Sequence, residues 1–150
     1  PVDEQVYDPD FVVPIGECKI ERAGSDVTLV SYSRGVHTCL EAAAELAAQG
    51  VEAEVINVRT LRPLDRKTIQ DSVMKTNRLV TVEEGWPTCG IGAEIGAAIY
   101  ESEAFNHLDA PVERVTGADI PMPYAANLEV DAIPQAHNVV RAVQKVCYRN

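Results

Sequence analysis

The sequence predicts an α/β fold: a doubly wound, mostly parallel β-sheet with helices on both faces and one short edge strand. Three observations carry this expectation. Short β-branched runs alternate with stretches whose apolar residues recur at helical spacing, the pattern of successive βα units. Several of these runs are nearly continuous in apolar residues, as strands covered on both faces are. The clearest unit, LVTVEEGWPTCGIGAEIG at residues 79–96, passes from a strand through two acids and a Gly-Trp-Pro turn to a helix opened by Gly90 and Gly92.

The elements follow in order. Residues 1–14, PVDEQVYDPDFVVP, have the proline and acid content of an arm or linker from a preceding domain, and residues 15–150 make the folded unit. A short strand is expected within residues 15–21, at a sheet edge, followed by a turn at residues 22–25. Residues 26–32, DVTLVSY, form a buried strand, and residues 36–49 a helix with Val36, Cys39, Leu40, Ala43, Leu46 and Ala47 on one face, ended by Gly50. A second parallel strand lies in residues 51–58, and Asp65 is the N-cap of a helix over residues 66–75 that buries Ile69, Val73 and Met74. After the central unit the helix resumes near Ala104 and Phe105, then breaks before Ala110-Pro111. Residues 112–115 supply a fourth parallel strand. Alternate prolines keep residues 120–124, IPMPY, out of any ladder, so they form a fixed surface loop. Pro134 opens a terminal helix whose buried face is Val139, Val140, Val143 and Val146.

Composition narrows the function. A chain of 150 residues is one domain with a sufficient core. A balance of 13 basic against 23 acidic residues, net −10, disfavours nucleic acid and anionic membrane and favours a basic protein partner or plain solubility. The apolar runs are too short to span a bilayer, and Cys18, Cys39, Cys89 and Cys147 are scattered, as in a reducing compartment.

No complete active site is visible residue by residue. Cys39 reads as a small core residue, and His37 lies on another face of its helix. Cys89 occupies a strand-to-helix turn, but Pro87 and Thr88 spoil a nucleophile elbow and no histidine is placed to activate it. Glu83 and Glu84 point to opposite faces of a strand end and are not a cooperating dyad; one is free to bond the glycine turn and the other to face a subunit boundary. Gly90-x-Gly92 also admits a self-contained nucleotide-binding enzyme, although adjacent acids would repel phosphates.

Three stretches carry a resemblance: VINVRTLRPLD (residues 55–65), SVMKTNRLVTVEEGWPTCGIGAEI (72–95) and LDAPVERVTGADIPMPYAANLE (108–129). They resemble the C-terminal domain of the beta subunits of thiamine-dependent pyruvate dehydrogenases, which has the transketolase C-terminal domain fold. The resemblance implies division of labour. Thiamine diphosphate and magnesium would be held by an alpha subunit and the beta subunit's N-terminal domain, with no cofactor, metal or catalytic residue in this domain. This domain would pair with a second beta subunit and dock the basic subunit-binding domain of a dihydrolipoyl acetyltransferase core. Asp109 and the terminal carboxylate of Asn150 match the family's docking positions, while Glu83 and Trp86 are expected at the subunit boundary. Asp109 also reads as a turn acid before Ala-Pro, and Trp86 as a cap on the core. The setting implied is a mitochondrial matrix, or a bacterial cytoplasm if the source is bacterial.

Overall fold

A computed structural model describes residues 10–149. Five strands, β1 (Lys19–Arg22), β2 (Val27–Ser31), β3 (Ala53–Asn57), β4 (Leu79–Val82) and β5 (Glu113–Val115), form one sheet in the order β1-β3-β2-β4-β5. The β3-β2, β2-β4 and β4-β5 pairs are parallel, and β1 runs antiparallel to β3 at one edge. The expected edge strand is thus present, shifted to include Arg22.

The helices are α1 (Arg34–Ala48), α2 (Arg66–Thr76), α3 (Ile91–Tyr100), α4 (Ala126–Ala132) and α5 (Ala136–Val146), with a 3₁₀ turn over Glu103–His107 where resumption after α3 was expected. Along β2, neighbouring side chains enter opposite cores, as strand geometry requires. Leu29 joins Val36, Cys39, Ala43 and Leu46 of α1 and Val139, Val143 and Val146 of α5, while Val30 joins Ile69 and Val73 of α2 and Ile95 and Ile99 of α3. Two helical layers therefore cover the sheet, and the core lies in two sheets of packing on either side of it. Among the described residues no helix is long and apolar enough to cross a membrane.

Local signals set most boundaries. Gly50 takes φ +75° after α1, a conformation that costs other residues a Cβ clash. Asp65 caps α2 by accepting from Thr68 N at 3.1 Å, and its other oxygen accepts from Cys18 N at 2.9 Å, tying the approach to β1 onto α2. Burial pushes the Asp65 carboxyl up, but these bonds outweigh it and hold it below its ordinary value. Met74 is only half-buried, with Ser72 and Thr76 taking the inward positions beside Ile69 and Val73. They do so because Glu54 of β3 is buried beneath α2. Its oxygens accept from Ser72 Oγ at 2.6 Å and from Lys75 Nζ, and Thr28 Oγ1 bridges Ser72 and Thr76 at 2.6 and 2.7 Å.

Two departures lie near the C-terminus. Pro134 precedes α5 rather than opening it: Gln135 is the N-cap, and Asn138 Oδ1 accepts from Gln135 N at 2.9 Å. Helix α4 was not expected. It is seven residues long, and among its residues only Ala132 is buried, so it carries little of the apolar periodicity that marks a packed helix.

Candidate functional site

The strand order reverses between β2 and β4, with α1 packed on one face of the sheet and α2 on the other, and the C-terminal ends of these strands form the crevice where open α/β sheets present their chemistry. Backbone strain gathers at this end. Ser33, Arg59 and Cys89, all non-glycine, have φ of 51°, 52° and 58° after β2, after β3 and in the turn beyond β4.

Glu83 is the centre of the turn. It is 3% exposed, and its two oxygens accept from Ile91 N and Gly92 N, each at 2.9 Å, across the N-terminus of α3. The carboxylate completes orphan donors and meets the positive end of the helix dipole. The glycines are explained by the same contact. A Cβ on Gly90 would lie 2.5 and 2.6 Å from the Glu83 oxygens, and one on Gly92 would lie 2.5 Å from Thr81 Oγ1 and 2.8 Å from Glu83 Oε1. Gly90 and Gly92 thus admit an internal carboxylate where a nucleotide site would admit phosphate. Glu83, expected at the subunit boundary, is instead turned inward with both oxygens engaged. The outward acid is Glu84, 3.7 Å from Arg34 Nε. Burial, then the charges of Glu83 and Glu84, push the Tyr32 phenol above its ordinary value.

Trp86 follows the acids, 57% exposed, and does not cap the core. Its Nε1 donates to Ile120 O at 3.1 Å, and Gly117 N donates to Gly85 O at 2.9 Å, so the turn and the proline loop are pinned together. A Cβ on Gly117 would lie 2.3 Å from Glu84 O. Beside Trp86 opens a cavity of about 460 Å³ lined by Tyr32, Leu61, Thr88, Cys89, Ile91 and Glu94, among others. Ile120, to which Trp86 is bonded, and Met122, Tyr124, Leu128 and Val130 further along the loop and α4 are also exposed. Sequence reasoning singled out Trp86 but missed these neighbours. The alternate prolines around Met122 were the available signal, since a loop that rigid with apolar side chains presents them outward.

Asp109 lies elsewhere, in the loop before β5. One oxygen accepts from Arg78 Nη2 at 3.2 Å, its backbone N–H donates to Asn77 O at 2.9 Å, and its carbonyl accepts from Tyr148 Oη at 3.0 Å. Its carboxylate is about half-exposed, and it borders a cavity of about 370 Å³ shared with Phe105, Leu108, Ala110 and Pro111. Asp109 is thus a turn acid with an outward oxygen. The structure does not bring it to the Trp86 face, and Asn150 lies outside the described residues.

Cys39 is fully buried as expected, and burial pushes its thiol up to about 12, with a smaller opposing bond from Ser31. Among the described residues no group of three or more His, Cys, Asp or Glu side chains is set to hold a metal ion. The α3 N-terminus is filled by the Glu83 carboxylate, so that helix end offers no open seat for a diphosphate.

Comparison with known proteins agrees with this architecture. The chain is 62% identical over 136 residues to "Pyruvate dehydrogenase E1 component subunit beta, mitochondrial" of Homo sapiens, covering 91% of this chain and 38% of that protein. It is 60% identical over 145 residues to the Caenorhabditis elegans protein of the same name, covering 97% and 41%. With "Pyruvate dehydrogenase E1 component subunit beta-1, mitochondrial" of Arabidopsis thaliana it shares 57% over 150 residues, covering 100% and 41%. The chain therefore spans about two fifths of the length of these curated relatives. A solved structure described as "Split gene transketolase, inactive beta4 tetramer" superposes with a TM-score of 0.82 at 30% identity, covering 95% of this chain and 46% of that one. The profile of the family described as "Transketolase, C-terminal domain" matches residues 16–139, and with the five-stranded sheet and its two helical layers this establishes that the chain belongs to the transketolase C-terminal domain family.

Proposed function

We propose that this chain is the C-terminal assembly and docking domain of the beta subunit of a thiamine-dependent pyruvate dehydrogenase. The observation that carries the reading is identity of 57–62% to E1 beta subunits, spread over 91–100% of the chain. In the whole enzyme, pyruvate is decarboxylated on thiamine diphosphate and the acetyl group passes to lipoyl groups. The cofactor and its magnesium belong to the alpha subunit and to the preceding part of the beta subunit, and this domain is inactive by itself. Its partners are the alpha subunit, a second beta subunit and the subunit-binding domain of a dihydrolipoyl acetyltransferase. The setting is the mitochondrial matrix, in keeping with the names of the relatives.

The docking part of the reading is supported by the outward oxygen of Asp109 beside an apolar cavity, on a chain of net charge −10. An acidic patch meeting a basic partner gives fast, salt-sensitive association. Calorimetric titration of the alpha–beta enzyme with an isolated subunit-binding domain tests it. Binding weakens from low to moderate salt and falls further in Asp109→Asn. Binding that is absent, or that ignores both salt and Asp109, removes the docking role.

A further inference from the structure

Helix α3 carries a glycine that its own fold does not require. Gly96 stands in the helix interior, where every residue but proline is better suited. A Cβ on Gly90, Gly92 or Gly117 would collide with this chain's own atoms, but one on Gly96 would meet no atom within 4 Å. Beside it opens an apolar cavity of about 230 Å³, lined by Gly96, Ile99, Tyr100, Phe105, Leu108 and Pro111, among others.

The cavity is walled by the fold and left open to solvent. Ile99 is buried, while Tyr100 and Phe105 stand 70% and 48% exposed, their rings in edge contact at 5.0 Å and 68°. Exposed aromatic rings beside an unfilled apolar hollow are how protein interfaces present anchor sites. The hollow is also continuous with the docking position, because the cavity that Asp109 borders shares Phe105, Leu108 and Pro111 with it.

Charge selects the partner. Glu101, Glu103 and Asp109 are interleaved with the lining residues along the chain, and all three are exposed. The bases of this region are already engaged: Arg78 Nη2 lies 3.2 Å from Asp109 Oδ2, Arg66 reaches Glu94 at 2.7 Å and Glu101 at 3.8 Å, and both Glu113 oxygens accept from Lys145 Nζ. Glu103 forms no ion pair among the described residues, and His107 ends the same turn, exposed. An apolar hollow with an acidic rim fits a basic partner that carries an apolar side chain close to its cation.

Resting on the docking reading above, we propose that the Gly96 hollow is the apolar seat of the same basic partner, the subunit-binding domain whose cation meets Asp109. One aliphatic or aromatic side chain of that domain enters between Tyr100, Phe105 and Leu108, and Gly96 keeps the entrance clear. The Asp109 contact gives encounter and register, and the seat discriminates by shape.

Calorimetric titration of the alpha–beta enzyme with an isolated subunit-binding domain, at two temperatures and two salt concentrations, tests this with Gly96→Leu. The new side chain fills the hollow from within. Since nothing lies within 4 Å of its Cβ and leucine is the better helix former, Tm holds or rises. Binding weakens at least roughly tenfold and its heat-capacity change shrinks, while its salt slope stays the same, because the apolar contact carries no charge. Phe105→Ala weakens binding in the same sense. Asp109→Asn does the reverse, flattening the salt slope and leaving the heat-capacity change. A Gly96→Leu enzyme that binds like the parent overturns this inference alone, as does one whose Tm falls, since the fold itself then needs the position open. Binding that Gly96→Leu blocks, but that ignores salt and Asp109, overturns the electrostatic docking reading alone. A parent enzyme that binds no subunit-binding domain removes that reading and the seat with it.

Discussion

Replacing Glu83 with Gln isolates the contact that organises the central turn. Both carboxylate oxygens accept from helix N–H groups at 2.9 Å in a site that is 3% exposed. An amide keeps one acceptor in either orientation and turns an NH₂ group onto the other N–H. One buried donor left unsatisfied costs about 1–3 kcal/mol. Loss of the negative charge at the positive end of α3 adds roughly 0.5–2 kcal/mol. The sum, about 3 kcal/mol, lowers Tm by roughly 10 °C in a domain of this size. Urea and thermal unfolding followed by circular dichroism read both numbers. Gly90→Ala completes the test, because its Cβ would meet the same oxygens at 2.5 and 2.6 Å. It is costly beside Glu83 and nearly free in a Glu83→Ala background, a coupling of about 1–2 kcal/mol. A Glu83→Gln protein within about 0.5 kcal/mol of the parent, the range of ordinary surface changes, refutes the reasoning. So does a Gly90→Ala cost that is the same in both backgrounds.

Other outcomes follow from the same geometry. Burial pushes the Glu54 carboxyl up, but bonds from Lys75, Ser72 and Gly24 outweigh it and hold it below its ordinary 4.5. Its contribution is present above that value and lost as pH falls through the lower folded value, so Glu54→Gln flattens the acid limb of a stability–pH curve. Lys75→Met, which strands the Glu54 charge, costs about 3 kcal/mol in chemical denaturation. Burial raises the thiols of Cys18 and Cys39 to about 12 and lifts that of Cys147. Cys89 is the exposed thiol and Cys39 the buried one, so a thiol reagent near neutral pH reacts with Cys89 first and with Cys39 only on unfolding, as stopped-flow absorbance would record. Trp86 is the sole tryptophan and is exposed, so emission from a monomer is red and quenched by iodide, and shifts blue when the Trp86 face is covered.

Most of the architecture was legible because each strand and helix carries its own periodicity. The β2 run is apolar at nearly every position, α5 repeats Val at 139, 140, 143 and 146, and Asp65 and Gly50 stand where caps are needed. Helix α4 was not legible, since a helix that buries only Ala132 leaves almost no hydrophobic period to read. On α2 the period placed Met74 on the buried stripe, where it packs half-buried, but missed the polar residues that share the inward face. Ser72 turns inward to bond Glu54, eighteen residues away in sequence, and Thr76 to bond Thr28, and a periodicity argument ranks methionine above serine and threonine. At the site, the alternation rule placed Glu83 and Glu84 on opposite faces but could not say which was inside. That choice was made by the two N–H groups of α3. Trp86 was singled out by type alone, whereas its tie to Ile120 joins residues 34 positions apart and left no local trace.

The Glu83 carboxylate has one more consequence. In many folds of this kind the loop at the crevice takes its working shape only when an anion arrives, so the surface it builds is conditional on ligand. Here the anion is part of the polypeptide, fixed by the sequence in every molecule and at every moment. The Trp86 turn above it is consequently constitutive: its shape is set when the chain folds and does not wait for an outside anion.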